Sequence, residues 1–111
     1  MVLDPVLQTE PTLAEIVRRL IEAFQPERIY LFGSRARSEA VSQSDYDLMV
    51  IVSDDAPPER KRSRRAYEVL RGTGVAADVL VWTEERFRKR LGVAASLPAT
   101  IAREGKLLYA A

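Results

Sequence analysis

Residues 31–48 read LFGSRARSEAVSQSDYDL: an apolar end, a Gly-Ser turn, ten intervening residues, then two aspartates separated by one position. In an extended strand side chains alternate, so Asp45 and Asp47 leave one face while Tyr46 leaves the other. Two carboxylates placed side by side repel unless a cation lies between them, and hard divalent cations take oxygen ligands of this kind. Gly33 lets the backbone come close to an anion, and the Ser34 hydroxyl and nearby amides can donate to phosphate oxygens. A metal site beside a phosphate cradle points to nucleotide chemistry.

The pattern Gly33-Ser34, ten residues, Asp45-Tyr46-Asp47 resembles the signature of the DNA polymerase beta-like nucleotidyltransferase superfamily. Its small size is similar to the minimal nucleotidyltransferase (MNT) proteins, which pair with HEPN-domain toxins as antitoxins. The resemblance extends from the helix before Phe24 to the closing AREGKLLY segment. It implies two Mg2+ ions held by Asp45 and Asp47, ATP as substrate, and a third aspartate on a neighbouring strand. Asp78 is the candidate, because it interrupts VAADVLVW, an otherwise apolar strand where an unpaired charge would be costly. It would bind the acceptor-side metal or act as base; the ordinary alternative is an aspartate at a strand start satisfied by backbone amides. Gly33, Ser34 and Arg37, with Arg35 behind them, would hold the triphosphate, since guanidinium forks match phosphate geometry. Either arginine could instead be a solvated surface side chain, and Ser34 a plain helix cap.

Composition narrows the chemistry. The chain has 111 residues, 47% hydrophobic and 30% charged, the proportions of one folded domain. It has neither cysteine nor histidine, so thiolate sites, imidazole ligands and a Ser-His triad are excluded and acid-base work falls to carboxylates. The net charge of +1 gives no global field toward nucleic acid or membrane, so nucleic acid is not expected as a direct partner. No signal-peptide pattern or membrane-length apolar run is present, and a cytoplasmic location is expected.

Along the chain, residues 1–11 are expected as a loose lead-in. Thr12 and Glu15 suggest a capping box for a helix over 13–24, whose apolar positions recur at helical spacing. Strands are expected at 28–32, 45–52 and 75–82, with a short helix capped by Ser34 to about 39 and a polar connection over 41–44. Further helices are expected over 58–71, from a Thr83 cap to about 91, and over 97–104, and residues 106–109 could add an edge strand. This is an α/β (α+β) pattern: a mixed sheet of three core strands plus a possible C-terminal edge strand, flanked by helices. Asp54 and Asp55 precede two prolines and are explained by turn chemistry. The run Arg60-Lys61-Arg62-Ser63-Arg64-Arg65 ordinarily forms a solvated face; an acidic partner or RNA is the other reading. No aromatic residue interleaves with it, so the sequence gives base stacking no support.

Larger relatives by resemblance carry acceptor-binding domains, whereas little follows the third strand here. The expected activity is Mg2+-dependent transfer of a nucleoside monophosphate, AMP from ATP, to a hydroxyl of a partner protein, a HEPN-type toxin ribonuclease. The alternatives are an antitoxin acting by occlusion and an antibiotic-modifying nucleotidyltransferase.

Overall fold

The computed structural model describes residues 1–33, 46–74 and 76–111. Five strands form one mixed sheet: β1 (Val2–Leu3), β2 (Arg28–Phe32), β3 (Tyr46–Val52), β4 (Ala77–Thr83) and β5 (Lys106–Ala110), in the spatial order β1-β5-β2-β3-β4. β3 and β4 run parallel; the other neighbours are antiparallel. The helices are α1 (Val6–Thr9), α2 (Pro11–Phe24), α3 (Ser63–Val69), α4 (Glu84–Arg90) and α5 (Leu97–Glu104), with a 3₁₀ turn at Pro58–Lys61.

β3 is apolar after Asp47 because both of its faces are covered. Leu48, Val50 and Val52 pack with Leu13, Ile16, Val17, Leu20 and Phe24 of α2 and Ala66 of α3. Met49 and Ile51 face the other way, onto Phe87 of α4 and Ile101 of α5. Tyr46 belongs to the first layer, with its hydroxyl donating to Glu10 Oε1 at 3.2 Å. The alternation therefore places Asp47 on the α4–α5 face and Tyr46 on the α2 face, as the sequence indicates.

The α4–α5 layer is pinned at its far end by a group of side chains distant in sequence. Arg28 donates to Tyr30 Oη at 2.7 Å and pairs with Glu84, while its guanidinium lies 5.5 Å from the Tyr30 ring centre and 5.4 Å from that of Phe87. The two rings stack at 5.7 Å. Nothing in the sequence couples Arg28 to Glu84, 56 positions away.

Several expectations are corrected. Residues 1–11 are structured: β1 pairs with the end of β5, and α1 begins where Asp4 Oδ1 accepts from the Val6 amide at 2.8 Å. α2 starts at Pro11, whose fixed φ suits a first helical position, with Glu10 at the cap and no side-chain capping bond. Glu15 does not close a capping box; it accepts from Arg18 Nε at 2.7 Å on the outer face of α2. The helix expected over 58–71 is divided at Arg62, which is extended (φ −103°, ψ 122°). That break lets Ser63 Oγ accept from the Val81 amide at 3.0 Å, covering the open edge of β4. The C-terminal strand exists but is interior, between β1 and β2, which explains its buried Leu108 and Tyr109. The third expected strand is β4, from Ala77 to Thr83, and Thr83 caps α4 by accepting from the Arg86 amide at 3.3 Å. The helix expected over 34–39 and the connection over 41–44 lie outside the described residues.

Phe87 is 1% exposed and is the ring on which α4 docks. Phe87→Ala should destabilise the protein by about 3–5 kcal/mol in urea unfolding. Arg18→Ala, at an exposed ion pair on α2, should leave the urea midpoint almost unchanged.

Candidate active site

Three expected site residues, Gly33, Asp47 and Asp78, meet at one end of the sheet. β2 ends there, and β3 and β4 begin. Phe32 is the register partner of Asp47, so Gly33 follows directly past it. Asp47 is in turn the register partner of Asp78. Neighbouring strands lie about 4.8 Å apart, so the two carboxylates leave adjacent backbones side by side. Both share the face of Met49, Leu80 and Trp82, the face that α4 and α5 cover further along. At this end Asp47 is half-buried and Asp78 exposed.

Gly33 is required here for two separate reasons. Its φ is +76°, a conformation costly for residues with a side chain. A Cβ at this position would also overlap Asp47 Oδ2 and approach its carboxyl carbon at 3.2 Å. The turn and the carboxylate are therefore packed directly against each other. Sequence reasoning placed Gly33 near a phosphate; the structure adds that its missing side chain makes room for Asp47.

Ser34, Arg35, Arg37 and Asp45 lie outside the described residues. Among the described residues no group of three or more acidic side chains gathers closely enough to hold a metal ion. The donor chemistry nonetheless fits a hard divalent cation, with two carboxylates in register beside a bend that has no side chain. Lys106, which the sequence reading did not single out, stands at the same end of the sheet as the register partner of Leu31. It shares the opposite face with Leu31 and Leu108 and stands two strands away from β3. Only the strand register reveals it.

Residues 12–108 match the family model described as a nucleotidyltransferase domain. The chain belongs to the nucleotidyltransferase domain family. No curated protein matches this sequence. Among solved structures, a protein from Sulfolobus solfataricus assigned as a nucleotidyltransferase is similar at 21% identity and a TM-score of 0.59, covering 90% of this chain and 78% of its own. A toxin–antitoxin structure with AMP-PNP is similar at 21% identity and a TM-score of 0.51, covering 87% of this chain and 73% of its own. A mutant of the toxin–antitoxin pair MntA–HpeT is similar at 18% identity and a TM-score of 0.52, covering 88% of this chain and 73% of its own. At these identities the likeness is one of fold. No helix among the described residues is long and apolar enough to cross a membrane.

The two requirements at Gly33 can be separated by mutation. Gly72 has φ +90° and open space around it, so Gly72→Ala should cost only the conformational strain of about 1–2 kcal/mol. Gly33→Ala should cost clearly more in thermal unfolding, because the Asp47 carboxylate must move. Equal losses for the two variants would show that Gly33 and Asp47 are not packed together.

Proposed function

We propose that this nucleotidyltransferase moves AMP from ATP, with Mg2+, to a hydroxyl of a partner protein, a HEPN-domain toxin that the modification silences. Residues 1–111 act as one domain in this reading, in the cytoplasm where ATP and magnesium are at hand. The observation that carries it is the register pairing of Asp47 with Asp78 beside Gly33. Membership of the nucleotidyltransferase family supports the reaction class. Toxin–antitoxin pairs among the similar folds, one with AMP-PNP, support the nucleotide and the kind of partner.

Asp45, Asp47 and Asp78 would hold the metal ions. When bound, these ions neutralise the triphosphate and lower the pKa of an oxygen nucleophile. The chain's own residues do the remaining work. Gly33 and Ser34 bring amides and a hydroxyl to the outer phosphates, and Arg37 offsets the charge that develops on the leaving group. Asp78, on the exposed side of the pair, faces the acceptor and takes the proton of its hydroxyl. The acceptor oxygen bonds to the α-phosphorus, the bond from that phosphorus to the β-phosphate bridging oxygen breaks, and pyrophosphate departs.

The rate test uses the protein, ATP labelled at the α-phosphate, Mg2+ and a HEPN-domain protein encoded beside it. Label should appear on that protein. Asp47→Asn and Asp78→Asn should each lower the transfer rate ~10³-fold, equivalent to about 4 kcal/mol of transition-state stabilisation. Unchanged rates in both variants would remove the carboxylates from the mechanism. Stable binding without label, with the toxin still silenced, would favour occlusion instead.

A further inference from the structure

The net charge of +1 conceals a strong segregation. Residues 57–90 hold ten of the seventeen basic side chains and only five of the sixteen acidic ones. The fold gathers most of these cations at the end of β4 away from Asp78. On one side of the strand, Arg60, Arg62, Arg64 and Arg65 outnumber Glu59 and Glu68 in the lining of a cleft of about 590 Å³. On the other, Arg86, Arg90 and Lys89, the last paired with Glu85 at 2.9 Å, line a second cleft of about 300 Å³ next to Thr83. The Ser63 to Val81 hydrogen bond joins the two sides, because it seats the arginine run against the strand whose next residue is Trp82. Over the Trp82 ring lies the Arg86 guanidinium, 3.9 Å from its centre. The run contains no aromatic residue of its own, yet folding brings one beside it.

Helix stability does not account for the arginines of the run. α3 has no acidic residue in its first turn, where carboxylates are favoured and cations are not. Internal pairing does not absorb them either. Among the described residues only Arg65 of the run makes an ion pair, with Glu68 at 3.5 Å, and Arg60 donates to the neutral Gln25 side chain.

We propose that this belt binds single-stranded RNA through its phosphate backbone, with an unpaired base stacking at Trp82–Arg86. A protein partner fits less well. Protein interfaces accept arginine but build it round an apolar, aromatic-rich core. Of the exposed large apolar residues among those described, this part of the chain supplies only Tyr67, with Leu91 at the border. A duplex also fits poorly, because the two clefts lie on either side of a sheet edge and a stiff helix would have to bend sharply to reach both. Unpaired strands are the usual state of RNA loops and ends, where aromatic rings and arginine planes stack on bases. Along β4 the arginine run is seated at Val81, roughly 10 Å from Asp78, and α4 is capped at Thr83, roughly 17 Å away, so the belt is separate from the acidic pair. It does not depend on the transfer activity.

The test is anisotropy of a labelled 20-nucleotide mixed-sequence RNA with the full chain, without nucleotide or magnesium. Binding is expected in the micromolar range at 50 mM KCl. Four to five phosphate contacts give a log–log salt slope of about −3. Arg62→Gln/Arg64→Gln/Arg65→Gln should weaken binding at least tenfold and shrink the slope by about two. Emission of Trp82, the chain's single tryptophan, should change over the same RNA concentrations. The proposal is overturned by absent binding at 50 mM KCl, by wild-type affinity in the triple variant or by unchanged Trp82 emission. Tighter binding of an equal-length duplex or DNA strand would also overturn it, as would equal competition by polyglutamate at matched charge.

Discussion

The acidic end of this protein depends on one constraint: β3 and β4 run parallel, in register, over seven paired positions from Tyr46–Ala77 to Val52–Thr83. That register makes Asp47 and Asp78 neighbours on one face. A slip of one residue would turn Asp78 toward the α2 layer and expose Val79 and Val81, which are 2% and 5% exposed in the native pairing. The apolar remainder of the two strands thus fixes the position of the charges at their start. Burial of β3 on both faces in turn requires two helical layers, and the Phe87–Tyr30–Arg28 group secures the second one. The arrangement of carboxylates is in this sense a product of core packing some distance away.

The sequence revealed most where a local rule and the tertiary environment agree. Asp78 stood out as a charge in an apolar strand, yet it is exposed at the second position of β4 and meets no burial penalty there; the Gly-Ser and Asp-Tyr-Asp elements carried the family resemblance. The helical periodicity of 13–24 and the Thr83 cap were likewise readable from neighbours in the chain. What escaped notice was non-local. β1 is two residues long and exists because Val2 and Leu3 pair with Ala110 and Tyr109 at the opposite terminus. The break at Arg62 has no glycine or proline to announce it; its benefit, the Ser63 cap on the β4 edge, is visible only when the strand is in place. The C-terminal strand was expected at the sheet edge because no local feature of Lys106–Ala110 discloses that another strand lies outside it. At Gly33 the sequence suggested conformational freedom, while the neighbouring carboxylate supplied a second reason that no spacing argument contains.

The distribution of charge follows from the same parallel pair. Strands that begin together also end together, so one end of β3–β4 carries aspartates and the other receives the segments that follow, the basic run after β3 and α4 after β4. A net charge near zero is then compatible with two opposite local fields. The separation along β4 is roughly 10 Å to Val81, where the basic run is seated, and roughly 17 Å to Thr83, against a screening length of about 8 Å at physiological ionic strength. Had the crossover between β3 and β4 been shorter or the strands antiparallel, the arginine run would have returned beside Asp78 and competed for it as an ion-pair partner. Parallel pairing keeps the two fields apart, acidic where the strands begin and basic where they end.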